Sequence, residues 1–151
     1  SYQRSEQEYL ALKTMYDEFK PKECAQGLPA ALEQQRDEWL RSLLSERVNL
    51  LAFSENVAIG HAALLEMQPD QSCEFFVFVH QNHQNRGIGT ALTEAARAIA
   101  TNLGYSLIWL TVESSNRKAM HVYEKVGFCL VGPRDIECEM LIHLSKGNEP
   151  P

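Results

Sequence analysis

The chain has 151 residues, enough for one domain with a substantial core, and its 44% hydrophobic and 23% charged residues are an ordinary globular composition. A net charge of -6 and a pI near 5.4 disfavour nucleic acid as the main partner, because phosphate binding needs a basic surface. No apolar run approaches the roughly 18 residues of a membrane span, and the polar start is unlike a secretory signal, so we expect a cytoplasmic protein with no membrane partner.

Two helices are predicted in the first third of the chain. Apolar residues recur at helical spacing over residues 5–19 and again over residues 30–44. The intervening segment, residues 21–29, contains two prolines and a glycine, which is typical of a loop.

Three strand-like runs follow, at residues 48–53, 57–66 and 73–80, and short polar turns separate them. This pattern predicts an antiparallel meander. Residues 75–79 are apolar at every position rather than at alternate positions, which is typical of a strand covered on both faces. We therefore expect this strand to be central in its sheet.

Helices and strands alternate in the rest of the chain. The strand at 107–112 follows a strand, a loop and a helix, so the simplest connection is a right-handed crossover that places it parallel to residues 75–79. The predicted elements are helices at 89–103 and 117–126 and strands at 107–112, 128–131 and 136–144.

Cysteine and histidine spacing gives no indication of a metal or redox site. The four cysteines include no C-x-x-C pair, and the five histidines lack a paired spacing such as H-E-x-x-H. We therefore expect reduced, semi-buried thiols and no metal ion.

A glycine-rich segment, residues 84–90, joins the central strand to the following amphipathic helix. Gly87 and Gly89 allow the main chain to approach an anion closely, and the first amides of the helix point unpaired donors at it. Arg86 adds a fixed positive charge. The segment therefore predicts a phosphate-binding loop. A dinucleotide-binding fold is disfavoured, because its acidic ribose ligand, expected about 20 residues later, would fall near Ile108 or Trp109.

The order of elements around this loop is more specific than the glycines alone. A strand, Q-x-x-G-x-G, a helix and a strand are followed by Asn116, Ala119 and the run Y-E-K-V-G-F at residues 123–128. This combination resembles the GNAT superfamily of acyl-CoA-dependent N-acyltransferases, and the chain is also similar to bacterial protein lysine acetyltransferases. The resemblance covers residues 48–131 closely and the two N-terminal helices loosely.

Three features depart from that family pattern. A short strand usually precedes the first helix, and residues 1–4 hardly supply one, so the chain either lacks that edge strand or is part of a longer protein. Gln81 stands where many relatives have proline, and Asn85 where many have glycine. Asparagine tolerates a left-handed conformation better than most residues, so the second departure is mild.

The resemblance implies an α/β (α+β) fold in one N-acetyltransferase domain spanning residues 1–151. Its central sheet would be mixed but mostly antiparallel, with six to seven strands and about four flanking helices. A parallel pair of strands would lie at the cofactor site.

The resemblance also implies acetyl-CoA as co-substrate. The pantetheine arm would lie along the main chain of Phe78 and Val79, as an added strand does. Asn116 would offer its side-chain amide to that arm, and it is equally well placed to cap the helix that starts at Arg117. The pyrophosphate would bind the segment formed by Gln84, Asn85, Arg86, Gly87, Ile88, Gly89 and Thr90.

Two residues are candidates for catalysis. Tyr123 lies about two helical turns after Asn116 and, by the resemblance, would protonate the departing CoA thiolate. Glu74 opens the central strand, about 16 Å along the chain from Val79, and would accept the proton of the amine. The alternatives are a core aromatic for Tyr123 and a solvent-facing residue for Glu74. His61 is expected to be a half-buried strand residue rather than part of the acceptor pocket.

We therefore predict an N-acetyltransferase that moves an acetyl group to a primary amine by direct attack. The acceptor is either a protein lysine or a small molecule such as a polyamine, an amino acid or an amino-sugar. Residues 51–83 contain Glu55, Glu66, Asp70 and Glu74 but no Lys or Arg, which fits a cationic acceptor. The alternative for Glu55, Glu66 and Asp70 is a solvated acidic face. A non-catalytic acyl-CoA sensor is the alternative from another class, and a homodimer through residues 136–144 is a further expectation.

Overall fold

The computed structural model describes residues 2–25, 27–45, 48–67 and 71–145, with the side chains of residues 2–4, 66 and 67 excepted. Asp70 and the side chain of Glu66, both counted in the acidic segment, lie outside this part. The elements in chain order are α1 (Tyr2–Glu18), α2 (Glu33–Leu44), β1 (Val48–Ser54), β2 (Val57–Met67), β3 (Ser72–Val79), a 3-10 turn (Gln81–His83), α3 (Ile88–Asn102), β4 (Leu107–Glu113), α4 (Arg117–Val126), β5 (Cys129–Val131) and β6 (Glu137–His143).

The six strands form one sheet in the order β1-β2-β3-β4-β6-β5. The predicted meander is confirmed, since β1, β2 and β3 pair antiparallel in sequence order. The predicted parallel crossover is also confirmed between β3 and β4, and the other pairs are antiparallel. The predicted central position of β3 is confirmed, because two strands (β1 and β2) lie on one side of it and three (β4, β6 and β5) on the other. Within the described residues α1 begins at Tyr2, and no strand precedes it.

The sheet carries helices on both faces. A cluster including Phe75, Leu92 and Tyr123 packs between one face and helices α3 and α4. A second cluster, with Tyr16, Leu40 and Phe78 among its members, packs α1 and α2 on the other face. Successive residues of β3 therefore alternate between the two clusters, as a strand covered on both sides requires.

α2 begins three residues later than predicted, at Glu33 rather than at residue 30. The Arg36 guanidinium is the reason, because its Nη1 donates to the carbonyls of Ala30 (3.1 Å) and Ala31 (3.0 Å). Arg36 also forms a 2.7 Å ion pair with Asp17 of α1. These contacts hold the residues before α2 in a loop and join the two helices.

His61 is buried more deeply than predicted, with 0% exposure. Tyr16 donates its hydroxyl proton to His61 Nδ1 (2.6 Å), and His61 Nε2 donates to Asn49 Oδ1 (2.8 Å). Burial lowers the pKa of His61 to about 3, so the ring is neutral. The residue therefore joins α1, β2 and β1 inside the core.

β6, the strand expected to mediate a dimer, has neighbours on both edges. It pairs with β4 on one side and with β5 on the other. Main-chain pairing between two copies through β6 is therefore blocked, and β5 is the sheet edge at this end. No helix of the described residues is long and apolar enough to cross a membrane.

Candidate active site

β3 and β4 separate soon after they begin. The parallel pairing joins Ser72, Cys73 and Glu74 of β3 to Leu107, Ile108 and Trp109 of β4. Beyond these residues the two strands are not paired with each other. Because both strands continue past that point, a wedge-shaped opening forms between them. The opening lies toward the C-terminal ends of both strands, where the glycine-rich loop follows β3.

Main-chain groups of β3 line one side of this opening. His80 N donates to Ile59 O (2.8 Å), so residues 59 and 80 form a hydrogen-bonded antiparallel pair. The next pair, Gly60 and Val79, is then a non-hydrogen-bonded pair, in which the main-chain N–H and C=O groups of each residue point away from the partner strand. By this alternation Val77 and Val79 direct their N–H and C=O groups into the opening. Gln84 Nε2 donates to Val79 O (3.0 Å), so one of these groups is engaged.

The same alternation corrects the assignment of Phe78. Its main-chain groups face β2, where it is the register partner of His61. Its side chain is 7% exposed and packs on Phe19 and Tyr16. Phe78 thus belongs to the core beneath α1, and Val77 takes its place beside Val79 at the opening.

The loop after β3 has the conformation expected of an anion cradle. Asn85 and Gly87 adopt left-handed φ values of 65° and 80°. Ala91 N makes the first α-helical bond of α3, to Gly87 O (3.0 Å), so the amides of the first turn, Ile88 to Thr90, have no acceptor within the helix. The first turn contains no acidic residue. Gln84 and Arg86 are exposed here, and Gly89 packs next to Val79.

α4 lies on the other side of the opening, after the end of β4. Asn116 is its N-cap, because Asn116 Oδ1 accepts from Ala119 N (3.2 Å). This cap occupies the side-chain oxygen and leaves the Nδ2 group as a donor. The capping role and an amide contact to a ligand are therefore compatible.

Tyr123 is buried on the inner face of α4, with 7% exposure. Its ring contacts Phe75 at 6.3 Å and Phe128 at 5.8 Å between centroids. Among the described residues its hydroxyl has no hydrogen-bond partner, and no side-chain oxygen that is fully buried lacks one. Burial raises the pKa of Tyr123 well above its usual value, so the phenol is protonated at neutral pH.

Glu74 lies at the narrow end of the opening and is half-buried. Its pKa is raised by burial. Phe75, the next residue, is in ring contact with Tyr123 on the α4 side, so Glu74 points to the opposite face of the sheet. Two titratable groups thus lie at the same level of β3, one on each face.

The α1–α2 connection (residues 19–32, with residue 26 outside the described part) lies on the Glu74 side of the sheet. Its residues Cys24, Ala25 and Leu28 pack against the cluster that contains Phe78, as does Phe76. Burial and the negative charge of Glu113, at the end of β4, raise the pKa of the Cys24 thiol. The connection therefore extends from β3 toward β4.

Residues 10–128 match the family model described as the acetyltransferase (GNAT) family, which is more than half of the chain. The chain belongs to the GNAT family. Its sheet, with one parallel pair beside a glycine-rich loop, is the fold that the sequence resemblance implied.

Two curated relatives of this GNAT protein illustrate its similarity. It is 29% identical over 83 residues to the ribosomal protein bS18-alanine N-acetyltransferase of Escherichia coli, covering 55% of this chain and 56% of the relative. It is 36% identical over 77 residues to a mycothiol acetyltransferase of Jonesia denitrificans, covering 50% and 24%. The matched part thus spans about half of the first relative and less of the second.

A solved structure resembles the GNAT fold of this chain over most of its length. A phosphinothricin acetyltransferase from Sinorhizobium meliloti, in complex with AcCoA, superposes with a TM-score of 0.76 at 15% identity. The superposition covers 95% of this chain and 89% of the other. At this identity the similarity establishes the fold alone.

Three features of the site were missed from the sequence. Val77 was not assigned to the opening, because side-chain patterns do not reveal which way main-chain groups point. The side-chain contact of Gln84 to Val79 O and the packing of Trp39 on Phe76, with centroids 6.1 Å apart, were also missed. The helical periodicity of residues 30–44 indicates that Trp39 faces the core, but the strand that it packs against cannot be identified from that pattern.

Proposed function

We propose that this protein transfers an acetyl group from acetyl-CoA to a primary amine by direct attack on the thioester. The observation that carries the proposal is the opening between β3 and β4, which leads directly from the glycine-rich loop to Glu74.

Coenzyme A would enter with its diphosphate on the loop. The amides of Arg86 to Thr90 and the positive end of α3 attract the phosphates, and Arg86 adds a charge that can pair with them. The pantetheine amides would pair with Val77 and Val79 as an added strand does, and Asn116 Nδ2 would donate to the same arm. The thioester would then lie near the narrow end of the opening.

Glu74 is suited to accept the proton of the amine. A lysine-like amine, with a pKa of about 10.4, arrives protonated and must lose a proton before it attacks. The raised pKa of Glu74 moves its carboxylate toward the range of an effective general base, and the group acts directly or through an ordered water. The amine nitrogen then bonds to the acyl carbon, and the carbon–sulfur bond breaks.

Tyr123 is suited to give a proton to the departing sulfur. Its phenol remains protonated at neutral pH, because burial disfavours the phenolate. Loss of solvent would also raise the pKa of the CoA thiol that forms, which reduces the pKa difference that proton transfer from the phenol has to overcome. No covalent enzyme intermediate is needed, since donor and acceptor approach the thioester from opposite faces of the sheet.

We propose a protein amine, a lysine side chain or an N-terminus, as the first acceptor to test. The support is the relative that acts on an alanine of a ribosomal protein. The relative that is a mycothiol acetyltransferase keeps small molecules open as the second candidate.

A screen of acceptors tests the proposal. The protein is incubated with acetyl-CoA and either a peptide library or pooled small amines, and acetylated products are identified by mass spectrometry. Acetylated peptides support the first candidate, and acetylated metabolites support the second. CoA binding without product from any pool would favour the alternative of a non-catalytic acyl-CoA sensor.

A further inference from the structure

The half of the sheet formed by β4, β6 and β5 has one buried face and one accessible face. The even-numbered residues of β6 are buried in the cluster that contains Phe75, whereas Glu137 and Glu139 are exposed. β4 alternates in the same way, and its odd-numbered residues are half-buried. Because neighbouring residues of a strand point to opposite faces, the accessible face is the one on which Glu74 lies.

A row of register partners joins this accessible face to the proposed site. Glu74 is the partner of Trp109, and Trp109 is the partner of Leu141. Trp109 and Leu141 are half-buried, so they form an apolar floor directly beside Glu74. The accessible face is therefore continuous with the carboxylate that we propose as the base.

Two carboxylates are direct neighbours at the far end of this face. Glu113, the last residue of β4, is the register partner of Glu137, the first residue of β6. Ser114 N donates to Ile136 O (2.8 Å), so the adjacent pair is of the non-hydrogen-bonded kind, in which the Cβ atoms lie about 5 Å apart. Like charges directly opposite each other destabilise a sheet. This position therefore favours a bound cation that interacts with both carboxylates.

The strands supply no positive charge to this face. β3, β4, β5 and β6 contain no Lys or Arg. The carboxylates have no ion-pair partner among the described residues. We call the surface the acidic sheet face, and its residues are Glu74, Trp109, Glu113, Glu137, Glu139 and Leu141. Its charge is complementary to that of a ligand with several positive groups.

We propose that the acidic sheet face docks a basic segment of an acceptor protein, and that Glu113 and Glu137 together bind an Arg or Lys side chain of that segment. The inference rests on the proposed function, because it requires the acceptor amine at Glu74. Glu113 lies four residues beyond Trp109 along β4, a distance of about 13 Å. Four residues of an extended peptide span the same distance, so the basic residue lies about four positions from the residue that is acetylated.

A protein segment suits this face better than a small polyamine does. Sites for small molecules are concave and bury most of the ligand. Glu137 and Glu139 are exposed, and the surface from β4 across β6 to β5 is about 10 Å wide. An extended segment can cover such an open surface and contact its apolar floor and its carboxylates together.

Two matched peptides test the docking surface. The first is an alanine heptapeptide with a free N-terminus, lysine in first place and arginine in fifth, so it offers both kinds of acceptor amine. The second has citrulline in fifth place, which keeps the size of arginine without its charge. With CoA present, calorimetry should show about five-fold tighter binding of the arginine peptide to the wild-type protein, the upper end for an exposed ion pair. With acetyl-CoA, the same ratio should appear in KM and not in kcat.

Variants of the carboxylate pair assign the preference to the acidic sheet face. In Glu137→Gln the preference for the arginine peptide should fall below about two-fold, and Glu113→Gln should act in the same way. Glu94→Gln makes an equal change of charge at an exposed position of α3, on the other face of the sheet, and keeps the five-fold preference. Both pair variants should also unfold at a higher urea concentration than Glu94→Gln, because the repulsion between the two carboxylates is removed.

The outcomes separate this proposal from the proposed function. If the wild-type protein acetylates the peptides but binds both equally, or if Glu113→Gln and Glu137→Gln keep the full preference, the docking surface is wrong and the proposed function stands. If spermidine is acetylated and neither peptide is, docking of a protein segment is wrong and the acceptor is a small amine. If the wild-type protein binds no CoA, both proposals are wrong.

Discussion

Glu74 and Trp109 are the last register partners in the parallel pair of β3 and β4, and the strands separate directly after them. A carboxylate therefore lies at the narrow end of an opening lined by strand main-chain groups. Glu74 is half-buried, and its pKa is raised by loss of solvent. This relationship connects the fold to the proposed chemistry, because it places the candidate base beside the expected thioester.

Replacing Glu74 by Gln tests that role. We expect Glu74→Gln to lower turnover about ten-fold or more, because a general base is lost, while CoA affinity stays unchanged. In the wild-type protein kcat/KM should rise with pH through an apparent pKa above the usual glutamate value of about 4.3, and this limb should vanish in the variant. Glu94→Gln, an exposed position on α3, serves as control and keeps both rate and profile. Equal pH profiles for Glu74→Gln and wild type would refute the assignment.

Phenylalanine variants of two tyrosines distinguish a loss of turnover from a loss of stability. Tyr123→Phe should lower turnover about ten-fold or more but change the free energy of unfolding by less than about 1 kcal/mol, because its hydroxyl has no partner among the described residues. Tyr16→Phe removes the donor to His61 Nδ1 and should cost about 1–3 kcal/mol with little effect on turnover per folded molecule. Urea titrations and initial rates measure both effects. The reverse pattern, with Tyr123→Phe unstable but active, would contradict the role given to Tyr123.

Two glycines test the loop. Gly87 and Gly104 have left-handed φ values of 80° and 89°, and a Cβ at either would meet no atom within 4 Å. Replacement of either by Ala should therefore cost about 1–2 kcal/mol of stability through backbone strain. Only Gly87→Ala should weaken CoA binding in calorimetry, because Gly104 follows the far end of α3. Equal CoA affinities for the two variants would remove Gly87 from the proposed cradle.

Because His61 is buried in its neutral form, we expect the free energy of unfolding to fall in acid. Its pKa is about 3 in the folded protein and about 6.5 when unfolded, so below pH 6.5 the unfolded chain binds a proton that the folded chain excludes. The free energy of unfolding should fall by about 1.4 kcal/mol per pH unit between those values on this account. His61→Gln should reduce the slope in urea titrations at several pH values, whereas His143→Gln, at an exposed position of β6, should keep it. An unchanged slope in His61→Gln would exclude the buried neutral ring as the cause.

Much of the fold could be predicted from the sequence because the local residue patterns agree with the tertiary structure. Asn116 and Gly127 mark the ends of α4, and its predicted bounds match those of the structure. The predicted start of α2 was wrong because tertiary contacts determine where this helix begins. The Arg36 side chain hydrogen-bonds the carbonyls of Ala30 and Ala31 and keeps these residues out of the helix. A helical pattern in the sequence does not reveal such a contact.

The candidate active site could be predicted from the sequence only in part. Gly87 and the cap at Asn116 have local signatures, and each has the predicted geometry, whereas Gly89 lies within the first turn of α3 and has no left-handed φ. Phe78 was assigned to the opening because the sequence of β3 alone does not show which residues turn their main-chain groups toward β2. The register of β3 on β2 sets that direction. The side-chain hydrogen bonds of Gln81 with Lys20 N and Glu18 O join segments far apart in sequence, so no local pattern indicates them.

A crystal structure of the protein with CoA tests the central claim most directly. We expect the diphosphate within hydrogen-bonding distance of the amides between Arg86 and Thr90, and the pantetheine paired with the main chain of Val77 and Val79. The sulfur should lie near the level of Glu74 and Tyr123. CoA bound outside the opening between β3 and β4, with those main-chain groups still facing solvent, would contradict the account.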